Sequence, residues 1–179
     1  MQDLMRNNPE KVIDFLTERL VFERNGVKLY DAVIAKMDAS GDENILRMRD
    51  QMQEHRDQEK EHEEWLEEQI RSLGGDALGS SEMADLVTRE SKGIEDVILD
   101  GDNDISHLFH ALLTAELADN AGWDLLVSLA DEAGDHEAKR AFKKRLHEEE
   151  DHLIFVRRAV EKFAWHEVLG EDVRMPASP

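Results

Sequence analysis

Apolar residues recur at three- and four-residue steps through nearly the whole chain, and no proline interrupts them between Pro9 and Pro176. That spacing keeps side chains on one face of a helix, whereas a strand needs alternation. A proline inside a helix costs ~3 kcal/mol or more, so its absence permits long helices. The chain is expected to be all-α. The stripe Leu16, Leu20, Glu23, Val27, Tyr30, Ile34, Met37 predicts a first helix from near Pro9 to Met37. Gly41 and Asp42 then supply a stop and a cap. A second helix runs through Ile45, Met48, Met52, His55, Glu59, His62, Leu66 and Ile70 to Leu73, before Gly74-Gly75. A third begins around Asp104, read as its N-cap, and carries Leu108, Leu112, Glu116, Asp119, Trp123 and Leu126. After a short turn at Asp131–Asp135, a fourth carries Phe142, Leu146, Glu149, His152, Val156, Val160 and Phe163.

The stretch from Gly74 to Asp104 is too long for a hairpin turn, and Met83, Leu86, Val87, Ile94, Val97 and Ile98 suggest a short helix lying across the others. Two short turns around one long connection give two antiparallel helix hairpins joined by a crossover, a four-helix bundle. Residues 1–169 are read as one domain and 170–179, polar and proline-bearing, as a flexible C-terminal tail. A weak internal repeat supports two similar halves. One constant offset carries Asp38–Arg47 onto Asp131–Arg140, Glu23 onto Glu116 and Tyr30 onto Trp123. A slightly shorter offset carries Glu59 onto Glu149 and His62 onto His152.

Composition narrows the function classes. There is no cysteine, which excludes disulfides, zinc ribbons, iron–sulfur clusters and thiol catalysis. A formal charge of -20, from 42 acidic against 22 basic residues, repels nucleic acid and anionic lipid and attracts cations. No apolar run is long enough to span a membrane, and none follows a basic start at the N-terminus, so a cytoplasmic location is expected.

Glutamates stand where leucines belong. Glu23, Glu59, Glu116 and Glu149 lie on the apolar stripes of four different helices, with apolar residues a turn away on each. Glutamate is almost never fully buried without a partner, and four converging carboxylates would repel each other. Two divalent cations remove both problems, because four positive charges meet four negative ones. The pairs Glu59-x-x-His62 and Glu149-x-x-His152 each place an oxygen and a nitrogen on one helix face. Mixed carboxylate and imidazole ligation suits iron or manganese better than zinc. The six candidate ligands are therefore Glu23, Glu59, His62, Glu116, Glu149 and His152.

This set resembles the ligand pattern of the ferritin-like superfamily, closest in kind to rubrerythrin and bacterioferritin, over roughly residues 10–165. The resemblance implies a ferritin-like bundle with a carboxylate-bridged di-iron centre. Glu59 and Glu149 would bridge, Glu23 and Glu116 would be terminal, and His62 and His152 would bind one ion each. Rubrerythrins carry a further glutamate ligand at the position of Asp119, which is one methylene shorter here. Asp119 is expected to bond Asn120 or to reach the metals through water. His55, one turn before Glu59, is expected to pack beside the site. Tyr30 and Trp123 either pack in the core, hydrogen-bond a ligand or relay electrons. Without cysteine the rubredoxin-like centre of full rubrerythrins cannot form, so an external donor or ferrous iron itself must be the reductant. The resemblance implies a non-haem di-iron or di-manganese oxidoreductase, a peroxide reductase or ferroxidase acting on hydrogen peroxide or dioxygen. It also implies a homo-oligomer, a dimer by resemblance. The rival readings are a ferritin-type iron-storage subunit, a manganese catalase and a metal-free structural bundle.

Overall fold

The computed structural model describes residues 1–100 and 102–170, so the tail expected beyond Gly170 lies outside the described residues. Four long helices form the body: α1 (Pro9–Ser40), α3 (Arg49–Ser72), α6 (Ile105–Glu132) and α7 (His136–Leu169). A one-turn helix α2 (Glu43–Leu46) precedes α3, and α4 (Glu82–Glu90) and α5 (Lys92–Leu99) occupy the crossover. Among the described residues there is no strand, and no helix is long and apolar enough to cross a membrane.

The helix ends follow local chemistry. Asn8 caps α1 by accepting from the Lys11 amide, and Pro9 stands at the first turn, where its missing N–H costs nothing. Gly41 ends α1 at φ 65°, a left-handed conformation that side chains with a Cβ resist. Asp42 and Asp135 cap the helices that follow the two turns. Asp104 occupies the N-cap position of α6, but its side chain makes no capping bond.

Two details depart from the periodicity. The expected second helix is broken after α2, where the Met48 amide bonds Ile45 at three residues' separation (3.0 Å). This tighter turn brings Ile45 and Met48 into the core together. In the crossover, two short helices meet at Ser91 where one was expected.

Polar contacts fix the helix directions. Arg24 bonds Glu67 on α3 while Arg56 on α3 bonds Asp31, so α1 and α3 run antiparallel. Trp123 reaches Glu23 and Tyr30 reaches Glu116, so α1 and α6 also run antiparallel. Two apolar clusters fill the bundle. One holds Leu16, Leu20, Leu66, Ile70, Leu126 and Phe142; the other holds Val33, Met37, Met52, Phe109, Leu112 and Val156. Burying each such side chain contributes about 1.5–3 kcal/mol. Between the two clusters lies a polar layer built from the middles of all four long helices.

Candidate metal centre

All six candidate ligands converge in that layer, and none is more than 2% exposed. Glu23 comes from α1, Glu59 and His62 from α3, Glu116 from α6, and Glu149 and His152 from α7. Three overlapping groups have ligand atoms within 4.8 Å of one another: Glu59, Glu116, Glu149 and His152; Glu23, His62 and Glu149; and Glu23, Glu59, Asp119 and Glu149. Each could hold a metal ion. Glu149 belongs to all three; Glu116 and His152 share one group with it, and Glu23 and His62 another.

The aromatic residues hold the outer carboxylates. The Trp123 indole N–H donates to Glu23 Oε1 at 2.9 Å, and the Tyr30 hydroxyl donates to Glu116 Oε1 at 2.7 Å. Each glutamate thus has one oxygen fixed by a donor from the facing helix. The repeat that relates Glu23 to Glu116 and Tyr30 to Trp123 is realised as two crossed bonds between α1 and α6.

The histidines follow the same crossed plan. His62 Nε2 lies 2.9 Å from Glu148 Oε2 on α7, and His152 Nε2 lies 2.8 Å from Gln58 Oε1 on α3. Both partners accept, so each Nε2 carries a proton and each Nδ1 is the nitrogen left for the centre. Those Nδ1 atoms face inward. His62 Nδ1 is 2.8 Å from Glu149 Oε1, and His152 Nδ1 is 3.1 Å from Glu149 Oε2 and 3.3 Å from Glu59 Oε1. These approaches lack hydrogen-bond geometry. Seven buried atoms consequently have no partner: Glu23 Oε2, Glu59 Oε2, His62 Nδ1, Glu116 Oε2, both oxygens of Glu149 and His152 Nδ1. Every one of the six residues supplies at least one of them.

Charge is correspondingly frustrated. Burial and the charges of Glu149, Glu23, Asp119 and Glu116 push Glu59 well above the carboxylate range. Burial pushes Glu116 up to about 8, against the opposing pull of His152. Burial disfavours a charged His62, yet Glu148, Glu149 and Glu23 raise it well above the ordinary imidazole value. His152 is likewise raised, because Glu149 and Glu116 outweigh its burial. Glu149 is held low despite its burial, because His152 and His62 flank it.

Asp119 pairs with Arg19 rather than Asn120. The Arg19 guanidinium donates to Asp119 Oδ1 at 2.5 Å and to its backbone oxygen at 3.1 Å, with both residues at most 2% exposed. Its other nitrogens fork onto Glu18 at 3.2 Å, and it lies over the Phe22 ring at 4.4 Å. His55 stays outside the three ligand groups. It stacks on His152 with centroids 4.2 Å apart, takes a bond from Gln51, and burial drives it down to about 2, hence neutral.

Several participants escaped the sequence reading. Arg19 lies one turn before Glu23 on the apolar stripe, an oddity as informative as the glutamates. Gln58 and Glu148 each precede the glutamate of one pair and serve the histidine of the other, a correspondence contained in the repeat. Gly26 faces the centre more closely than Val27 does, because a Cβ there would meet Glu59 Oε2 at 2.4 Å. A Cβ at Gly122 would meet the Arg19 guanidinium at 2.5 Å. Glycines in mid-helix, which cost ~1 kcal/mol against alanine, were the available signal.

Searches among curated proteins and among solved structures found no match. A family model described as ferritin-like domain matches residues 13–164, which takes in most of all four long helices and every candidate ligand. The chain belongs to the ferritin-like domain family.

Proposed function

We propose that Glu23, Glu59, His62, Glu116, Glu149 and His152 hold two metal ions, iron in preference to manganese, and that the centre is oxidised by hydrogen peroxide or dioxygen. The observation that carries this reading is the set of seven buried, partnerless oxygen and nitrogen atoms facing one another in the bundle. Buried polar atoms without partners cost about 1–3 kcal/mol each, so a set this dense calls for a ligand. Oxygen and imidazole donors match iron or manganese. Arg19 neutralises Asp119, which leaves four carboxylates to balance two divalent ions.

Glu149, which belongs to all three groups, and Glu59, which belongs to two, would be shared between the ions. Glu23 and His62 would serve one ion, Glu116 and His152 the other. What a bound pair of ferrous ions would supply is two electrons, enough with two protons to reduce hydrogen peroxide to two waters. The protein's residues do the rest. Trp123 and Tyr30 orient Glu23 and Glu116, while Glu148 and Gln58 fix the tautomers that aim each Nδ1 inward. The two apolar clusters keep bulk water from the centre. The raised Glu59, Glu116, His62 and His152 hold protons in the metal-free site and release them as ions bind.

The test is anaerobic loading with ferrous iron, elemental analysis and an absorption spectrum before and after peroxide. About two ions per chain and a peroxide-dependent spectral change are expected; less than about one ion per chain refutes the two-ion site. Oxygen evolution from peroxide by the manganese-loaded protein would favour a catalase, and a large closed shell on sizing would favour storage.

A further inference from the structure

A cavity of about 350 Å³ opens where α1, the α4–α5 junction and α6 meet. Its mouth carries Glu90, Thr114 and Ala118, all exposed, and its inner wall carries Glu18, Phe22 and Arg19. Arg19 stands between this cavity and the metal centre. One side of its guanidinium forks onto Glu18, which is 14% exposed; the other bonds Asp119. Asp119 in turn lies within 4.8 Å of carboxylate oxygens of Glu23, Glu59 and Glu149. The partnerless oxygens of those three residues lie behind it. Carboxylates thus stand at the mouth of the cavity (Glu90), on its wall (Glu18) and behind Arg19 (Asp119), next to those of the centre. The cation between Glu18 and Asp119 is one that the protein supplies itself.

The guanidinium occupies the place a divalent cation would take in passing from Glu18 to Asp119. The missing Cβ at Gly122 makes room for it there, and the cavity in front gives it space to withdraw. We propose that this cavity is the port through which divalent cations reach the centre, with Arg19 as the gate at its floor. This rests on the two-metal reading above. A doubly charged ion that displaces the single charge of Arg19 balances both Glu18 and Asp119 while the guanidinium is withdrawn. Return of the guanidinium after the ion has moved inward pairs Asp119 again and closes the path.

A gate alters barriers and leaves end states alone, so blocking it must slow loading and release by the same factor at constant Kd. The experiment uses the full chain and Co²⁺ alone, with its ligand-field absorption followed by stopped flow and at equilibrium. Thr114→Phe and Ala118→Phe fill the mouth from exposed positions and should slow loading and release on the order of tenfold. Stoichiometry and Kd should not change. Val12→Phe, in a separate groove between α1 and α6, should load at the wild-type rate. Glu90→Lys should slow loading at low ionic strength. Arg19→Lys keeps the charge but loses the fork, and should speed loading severalfold. Wild-type loading rates in both mouth variants, equal slowing by Val12→Phe, or a changed Kd without changed rates would overturn the port. Failure of the wild type to bind Co²⁺ would overturn the two-metal reading itself.

Discussion

Replacing Glu116 with glutamine removes one buried charge while retaining the side-chain volume and an oxygen for the Tyr30 hydroxyl. Burial raises this carboxyl to about 8 from an ordinary 4.5. A raised carboxyl binds its proton more tightly in the folded than in the unfolded chain. Its penalty is therefore absent below about pH 4.5 and grows until about pH 8. At ~1.36 kcal/mol per unit, the metal-free wild type loses at most about 5 kcal/mol across that window, less to the extent that the site relaxes. His62 and His152, also raised, act in the same direction: their stabilisation is present below about 6.5 and is lost as pH climbs through their folded values. Glu149, held low, acts oppositely, and its contribution is present above about 4.5 and lost on acidification. Urea unfolding in chelator should find Glu116→Gln close to wild type at about pH 5 and several kcal/mol more stable at about pH 8.5. Metal narrows that gap. Wild type gains ~2.7 kcal/mol for each ion at a hundredfold excess over Kd, whereas the variant, missing a charged ligand, gains much less. A variant less stable than wild type at pH 8.5 in chelator, or one with an undiminished gain from metal, would refute this electrostatic account.

Gly26→Ala should improve helix propensity by up to ~1 kcal/mol, yet it displaces Glu59 and should weaken metal affinity at least about tenfold by isothermal titration. Gly93→Ala, with nothing within 4 Å, should leave affinity untouched. Tyr30→Phe strips the donor from Glu116 Oε1 and should cost the metal-loaded protein about 1–3 kcal/mol in chemical denaturation; Trp123→Phe should do the same to Glu23. Arg19→Gln leaves Asp119 buried and unpaired, so thermal unfolding should report a loss of about 3–5 kcal/mol. Adding Asp119→Asn should restore most of it, and simple additivity of the two losses would argue against a direct pair.

The sequence by itself determined the four long helices, apart from the break before Arg49, and the six residues that converge between them. Both are consequences of local spacing: a helix returns to the same face every three or four residues, so an apolar stripe predicts burial without reference to the rest of the fold. Glu23, Glu59, Glu116 and Glu149 were conspicuous because they occupied such stripes, and each histidine followed its glutamate on the same face. Tertiary structure decided everything that depends on which helix faces which. Antiparallel packing of α1 against α6 turned Tyr30 and Trp123 into donors for each other's glutamates. The same packing matched Arg19 to Asp119, a hundred residues away in the chain, and gave Gly26 and Gly122 their purpose as clearances. No periodicity encodes these pairings, because they depend on helix register across the bundle rather than on spacing within a helix. The sequence thus named the carboxylates and imidazoles of the centre, while the fold supplied the donors that orient them and the cation that stands at their entrance.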